Sequence, residues 1–445
     1  MLNQFRAGAD SGWDGRMTTT AAAGSQLTPD PAPRPRRTRL LHEDPVVRRL
    51  AGLTLVNAFG NGLFMTVGVL FFTRSLHFGA TQVGFGLTLA GLCGVLASLP
   101  AGRAADRWGA KRMLMILVVL EAVGMAGYAL VHSFLAFVLL ACAVTAVDRG
   151  SAAVRNTLYA QALPKETRVA GRAYLRAATN VAIGAGSSLA AFALQADTRQ
   201  AYLAAILTDA ATFLVVALML PSIPIAAPVP REPGAGTQVG VRPRSALRDV
   251  PFLAVTFLSS LLVMQFAVIE VGIPLWLVQS THAPRFLIAP LLITNTVLVV
   301  LLQVRATRGT EELRSAARAF RRGGLFIAAF CLVAAMARGL SPVAASLVLI
   351  AAAVLQALGE VLSQAGGWAL SYTLARDESM GAYQGVFNAG SAAALMLGPA
   401  LVTVTALSHG FAGWALLATL FGLAGLAMGP TVSWAQRLRP AAEAA

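Results

Sequence analysis

Charged residues are scarce in this sequence. Asp, Glu, Lys and Arg make up 12% of its 445 residues, whereas soluble domains carry about 25%. Cysteine is scarce too: Cys93, Cys142 and Cys331 each lie inside an apolar run, which predicts packing residues and no disulfide or zinc framework. The sequence also lacks a phosphate-binding loop, clustered histidines and a Gly-x-Ser-x-Gly nucleophile elbow. These shortages exclude an ordinary soluble domain and argue against an enzyme, and we expect neither an organic cofactor nor a metal ion.

Apolar residues make up 56% of the chain. They recur in runs of about 20 residues, the length that a helix needs to cross a hydrocarbon core of ~30 Å. We therefore predict an all-α membrane protein with twelve transmembrane helices. The predicted spans lie near residues 50–73, 79–101, 113–132, 134–162, 172–194, 201–222, 250–278, 284–304, 323–340, 343–374, 381–408 and 411–433.

Two sets of six spans, separated by a stretch rich in proline, glycine and arginine, predict an internally duplicated fold. The segment before the first span is rich in proline and arginine and lacks the apolar core of a signal peptide, so we expect it to be disordered. Either Met1 or Met17 can be the true start. The predicted organisation is a cytoplasmic tail at 1–47, a six-helix bundle at 48–222, a cytoplasmic linker at 223–249, a second six-helix bundle at 250–435 and a cytoplasmic tail at 436–445.

The formal net charge of +15 is concentrated on one side of the predicted spans. The positive-inside rule explains such loops without a nucleic-acid partner and predicts that both termini are cytoplasmic. The opposite loops contain little more than Arg74, Arg199 and Arg285. The basic segments are 34–49, 103–112, 165–172, 231–248 and 305–322.

One charged stretch, "AGRAADRWGAKRM" at 101–113, has a recognisable spacing. The pattern Gly-x-x-x-Asp-Arg-x-Gly-x-Lys-Arg resembles the signature between the second and third helices of the major facilitator superfamily. The resemblance covers roughly residues 48–435 and implies two pseudo-symmetric six-helix bundles. The residues of this signature, which we predict to be a conformational latch, are Gly102, Asp106, Arg107, Gly109, Lys111 and Arg112.

The resemblance implies that Asp106 faces the N-terminal end of the eleventh helix, near Met380–Ala382, where the helix dipole favours an anion. Plain positive-inside anchoring is the alternative for the basic residues. The equivalent loop of the second half, 305–322, has lost the Asp-x-x-Gly core. The fifth helix lacks the Gly-Pro signature of antiporters, and Gly398-Pro399 occurs in the eleventh instead.

Ionisable residues within spans are costly and usually face the protein interior or a water-filled cavity. Gln356, Glu360 and Gln364 recur every four residues, so they share one helix face, and a carboxyl group there can exchange protons. Helix–helix hydrogen bonding is the alternative. Glu121 and Asp209 are expected to be helix-packing acids. The candidates for proton coupling are Glu360, Asp148, Arg149 and Glu270.

Other polar residues in the spans are candidates for a substrate cavity. Trp276 and Trp368 can stack on a flat or cationic ligand, or serve only for packing. The cavity candidates are Asn57, Asn61, Arg155, Arg176, Asn180, Asn295, Gln356, Gln364 and Asn388.

The sequence, with its resemblance to the drug-efflux branch of the superfamily, predicts a secondary transporter working by alternating access. We expect a proton-coupled exporter of small amphipathic compounds, such as drugs or secondary metabolites. The expected setting is the plasma membrane, where the protein is a monomer with protons, a small-molecule substrate and the lipid bilayer as partners. Proton-coupled nutrient uptake, lipid translocation and a receptor without transport remain alternatives.

Overall fold

The computed structural model describes residues 44–224 and 246–438. The predicted disordered tail before residue 44, most of the linker (225–245) and the C-terminal tail from 439 lie outside the described residues. Within them the chain is helical, with no strand. The twelve long helices are α1 Pro45–Leu70, α2 Ala80–Trp108, α3 Ala110–Gly127, α4 Phe134–Ala162, α5 Arg168–Ala196, α6 Arg199–Met219, α7 Val250–Ser280, α8 Ile288–Ala306, α9 Leu313–Ala335, α10 Pro342–Thr373, α11 Met380–Val402 and α12 Ser408–Leu438.

Eleven of these helices lie in stretches that are long and apolar enough to cross a membrane. Ten candidate spans are found among the described residues, and the last of them, Asp377–Leu438, contains both α11 and α12. The twelfth helix is α9, whose first turns carry several arginines. Twelve transmembrane helices in an all-α membrane protein are therefore the architecture.

Both halves begin in the same way. Asp44 caps α1 by accepting a hydrogen bond from the Val46 amide (2.7 Å), and Asp249 caps α7 by accepting one from the Phe252 amide (3.2 Å). A proline follows each cap within the first turn, where its missing N–H costs nothing. Twelve crossings, an even number, separate the start of α1 from the end of α12, so both ends lie on one face, which we call the terminal face.

Each half has its own hydrophobic core. One core is built from α1–α6 and the other mainly from α7–α12, with Ala160 and Ala173 of the first half packed into the second. Large apolar side chains such as Leu218 and Val343 stay exposed on the outside, as expected for a surface that faces lipid. Between the halves, α2 packs along α11 and α5 packs along α8.

Two helix boundaries differ from the sequence-based prediction. Helix α2 runs to Trp108 instead of ending near 101, so Asp106 is helical and the turn is reduced to Gly109. Helix α9 begins at Leu313 instead of near 323, and residues 314–322 are not a loop. Both errors have one cause: apolar runs end where charge begins, but a helix continues through the headgroup layer because long basic side chains can reach water from it.

Candidate functional site

The Asp106 carboxylate caps the N-terminus of α11 from the other half of the molecule. Its Oδ1 accepts a hydrogen bond from the Gly381 amide (2.6 Å) and its Oδ2 accepts one from the Ala382 amide (2.7 Å). The first amides of a helix have no partner within the helix, and the dipole favours an anion there. Ser379 precedes α11 but its side chain does not cap it. The N-terminal cap of α11 is therefore supplied by a side chain of α2 and not by the residue that precedes α11.

Glycines let α2 and α11 come this close. A Cβ atom on Gly102 would overlap the carbonyl oxygen of Gly381, and one on Gly381 would lie 2.6 Å from Asp106 Oδ1. Gly109 has φ 86° and ψ 134°, a conformation that side chains disfavour, and it joins α2 to α3 directly. The glycines of this signature are thus explained by contact and by backbone conformation.

The basic residues of the signature have different surroundings. Lys111 Nζ donates to the carbonyl oxygens of Pro221 (2.8 Å) and Ile223 (2.9 Å), just after α6. Arg107 and Arg112 are exposed at the terminal face. Lys111 therefore ties α3 to the end of α6 within the first half, whereas Asp106 joins the two halves.

A second set of contacts joins the halves at the terminal face. Arg172 of α5 donates from Nη1 to the Tyr372 hydroxyl of α10 (2.7 Å), and its guanidinium carbon lies 4.7 Å from the centre of the Trp368 ring. The Arg168 guanidinium carbon lies 5.4 Å from the centre of the Tyr372 ring. Lys165 and Asp377 form an exposed ion pair at 2.8 Å. Sequence reasoning missed this set, although each helix presents its pair of side chains four residues apart.

Asn388, a predicted cavity residue, lies in the same interface. Its Nδ2 donates to Ser98 Oγ (3.1 Å) and to the carbonyl oxygen of Arg149 (2.9 Å). One side chain of α11 thus contacts both α2 and α4. These contacts and those of Asp106 and Arg172 all join the two halves on the terminal side, so the structure is closed there.

Glu360 lies within a cage of amide side chains, and 3% of its surface is exposed. Its Oε1 accepts a hydrogen bond from Gln364 Nε2 (3.0 Å), and its Oε2 accepts from Gln356 Nε2 (3.2 Å) and Asn295 Nδ2 (3.3 Å). The four-residue spacing on α10 therefore brings the predicted residues together, and α8 adds Asn295. Gln265 of α7, which sequence reasoning did not select, accepts from Gln356 Nε2 (3.3 Å).

Arg176 of α5 is a cation of the first half that lies near two acids of the second, Glu360 and Glu270. It is close enough to interact electrostatically with both Glu360 and Glu270, but it forms no ion pair with either among the described residues. Its guanidinium carbon lies 5.6 Å from the centre of the Phe266 ring, so it reaches across to α7. Glu270 is exposed and lies in a π-helical turn, Val268–Gly272, a feature often found at functional sites.

A separate group of acids lies inside the first half. Glu121 of α3 and Asp209 of α6 are each 1% exposed. Asp148 and Arg155 of α4 are near enough to Glu121 to interact with it electrostatically. Arg149 contacts the neighbouring Asp148 at 3.5 Å. The two acids that the sequence suggested were only packing residues therefore share an environment with Asp148.

Both carboxylate oxygens of Glu121 and one of Asp209 are buried without a hydrogen-bond partner in the part of the chain that the structure describes. No described group of three His, Cys, Asp or Glu side chains is arranged to hold a metal ion.

The remaining candidates lie apart from the acids. Asn57 is buried on α1, Asn61 is half-buried one turn further along, and Asn180 is half-buried on α5. No hydrogen bond among the described residues joins these three to Glu360 or Asp148. Trp276 donates from its indole N–H to the Ala334 carbonyl (3.0 Å) and packs against Trp414, so it is a core residue of the second half.

Twelve spans in two similar halves, with buried acids and a closed interface at one face, define a transporter that moves its cargo between two halves. The family model of the Major Facilitator Superfamily matches residues 50–399, and the chain belongs to this superfamily. Its members are transporters, which makes a small-molecule substrate, and not a chemical reaction, the expectation for this chain.

Solved structures of transporters share the fold at low sequence identity. The human organic anion transporter MFSD10 (TETRAN) is 16% identical with a TM-score of 0.66, covering 86% of this chain and 100% of its own. A bacterial homologue of the iron transporter ferroportin, in an outward-facing state, is 14% identical with a TM-score of 0.67, covering 88% and 99%. The proton:xylose symporter XylE is 12% identical with a TM-score of 0.64, covering 87% and 95%. Among curated proteins, none matches this chain with significant sequence similarity.

Proposed function

We propose that this chain is a proton-coupled exporter of small amphipathic compounds, such as drugs or secondary metabolites. It works as a monomer in the plasma membrane, with the terminal face in the cytoplasm. The observation that carries the proposal is Glu360, an acid buried in an amide cage that faces Arg176 of the other half. Cytoplasmic placement of the terminal face is supported by the basic side chains there, including Arg107 and Arg112.

Proton binding at Glu360 changes how strongly the two halves attract each other. As a carboxylate, Glu360 attracts Arg176 across the interface and is stabilised by three amide N–H groups. As a neutral acid it loses the attraction to Arg176 and interacts less well with those donors. A ligand shifts a conformational equilibrium by its differential affinity for the two states, and a proton meets this condition here.

The side chains near the acid indicate the class of cargo. Amides and a carboxylate at Glu270 offer hydrogen-bond acceptors and negative charge, while the surrounding helices are apolar. A molecule with an apolar body and a polar or cationic group fits such walls. Because a cation and a proton compete for the same negative charge, binding of one favours release of the other.

The test is gradient-driven flux in proteoliposomes, with a panel of dyes and metabolites and an imposed pH difference. We expect the wild-type protein to move at least one compound and Glu360→Gln to reduce this flux to the level of protein-free liposomes, because an amide cannot be protonated near neutral pH. Binding of the same compound, measured by fluorescence, should persist in the variant. The exposed Glu311→Gln is the matched control and should keep wild-type flux.

Undiminished coupled flux in Glu360→Gln, or no flux of any compound in the wild type, would show the proposal to be wrong. Accumulation of the compound by whole cells that express the protein would indicate uptake in place of export.

A further inference from the structure

Helices α9 and α12 cross closely and then separate towards the terminal face. At the crossing, a Cβ atom on Gly324 would lie 2.8 Å from the Cα atom of Gly425. Beyond it the helices separate around a cavity of about 500 Å³. A Cβ atom on Gly429, in the α12 wall, would meet nothing within 4 Å. We call this cavity the α9–α12 wedge.

Three arginines form the α9 wall of the wedge. Arg314, Arg318 and Arg321 line it, and their spacing of four and three residues places them on one stripe of the helix. None of them forms an ion pair with a described residue. Arg314 lies in the first turn of α9, where the helix dipole also opposes positive charge, so a bound anion would be favourable there.

The wedge lies on the outer surface of the second half, next to side chains that face lipid. Leu325 of α9 is 44% exposed and Leu426 of α12 is 48% exposed, both further from the terminal face than the arginines. A ligand that places an anionic group in the wedge can therefore extend apolar chains along these leucines. A free inorganic anion would use the arginines but not the apolar surface.

We propose that the α9–α12 wedge binds the phosphate of an anionic membrane lipid. The planar guanidinium groups of Arg314, Arg318 and Arg321 match phosphate oxygens with paired N–H donors. Basic pockets between transmembrane helices are suited to such headgroups. The opposite wall offers the Ser433 hydroxyl and the open space at Gly429, which accommodates the headgroup.

The test is lipid binding to the purified full-length protein in detergent, measured by native mass spectrometry with phosphatidylglycerol or phosphatidylcholine added. We expect one tightly held phosphatidylglycerol and no phosphatidylcholine at the same concentration. Arg318→Gln with Arg321→Gln should weaken lipid binding by about tenfold or more, because hydrogen bonds to charged groups are strong. Arg322→Gln, on the same helix but outside the lining, should leave binding unchanged.

A second variant covers the case in which the double arginine variant does not fold. Gly429→Leu places an apolar side chain in the open space proposed for the headgroup and keeps all three arginines, and we expect it to lose the lipid while staying monodisperse. Inorganic phosphate in excess should not displace the lipid. Equal binding of the two lipids, an equal loss in Arg322→Gln, lipid retention in Gly429→Leu, or displacement by inorganic phosphate would each overturn the proposal.

Discussion

Asp197 shows how one exposed carboxylate joins three helices on the face opposite the termini. It follows α5 with φ 44°, and its two oxygens accept hydrogen bonds from the Tyr202 hydroxyl of α6 and from the Arg74 guanidinium after α1. The Tyr202 hydrogen bond and the charge of Arg74 hold the pKa of the Asp197 carboxyl below its usual range. Because the folded-state pKa is depressed, the stabilisation is present above the unfolded value and is lost as the pH falls through the folded one.

We predict that Asp197→Asn lowers the thermal unfolding temperature at neutral pH and that this difference disappears in acid. Asparagine tolerates the left-handed backbone of residue 197, so the variant removes charge and little else. The difference should shrink below about pH 4, where the unfolded carboxyl takes up its proton. Unfolding of both proteins in detergent across this pH range is the measurement. A difference that stays constant down to the lowest pH would contradict the prediction.

At the same scale, helix periodicity finds residues that share a helix, but it misses those that meet across helices. The spacing of Gln356, Glu360 and Gln364 is enough to place them on one face of α10, and the structure joins them. Nothing in the sequence pairs Arg172 with Tyr372, because the two residues are 200 positions apart and meet only when the halves close. Glu121 is similar: its burial among other acids depends on how α3, α4 and α6 pack.

Between elements, the contact of α2 with α11 depends on small residues. Gly102→Ala would place a methyl group against the Gly381 carbonyl, and overpacking of this kind costs about 1–3 kcal/mol. The cost arises only while the helices touch, so we predict a shift towards conformations in which the terminal face opens. Pulsed electron paramagnetic resonance with spin labels at residues 165 and 377 measures this opening. We expect a larger fraction of molecules with the longer label distance in Gly102→Ala than in the wild type.

Gly84→Ala is the control for this substitution. Gly84 lies on the same helix, and a Cβ atom there would meet nothing within 4 Å, so the label distances should match those of the wild type. Equal distance distributions in Gly102→Ala and Gly84→Ala would show that the close approach of α2 and α11 does not control opening.

Helix positions follow well from apolar runs, but helix ends do not. The twelve helices of the structure correspond in order to the predicted spans, because each needs enough apolar length to cross the lipid. Charge at the membrane surface ends an apolar run without ending the helix, as Asp106 on α2 and Arg318 on α9 show. The boundary errors therefore fall on the residues of the latch and the wedge.

For the whole molecule, the terminal face is closed by several contacts of different kinds. The Lys165–Asp377 pair has side chains that are 68% and 63% exposed, so on its own it adds about 0–1 kcal/mol. A covalent link between the same positions would prevent the two halves from separating at this face. We predict that Lys165→Cys with Asp377→Cys, joined by a short cleavable bifunctional thiol reagent, abolishes flux in proteoliposomes and that reductive cleavage restores it.

Lys165→Cys alone, treated with the same reagent, is the control and should keep its flux, since the native Cys331 is buried and Cys93 and Cys142 are half-buried. Unchanged flux in the linked double variant would mean that the terminal face need not open during transport.

Asp106 and the amides that it caps are 275 positions apart, which has a consequence for biosynthesis. A ribosome adding about 5–20 residues per second needs on the order of 10–60 s to pass from one to the other. Throughout this interval the Asp106 carboxylate lacks the amide donors of α11, which have not yet been synthesised. The contact between the halves at Asp106 therefore cannot form until about the last seventh of the chain is being synthesised, so the first half must stay stable in the membrane without it.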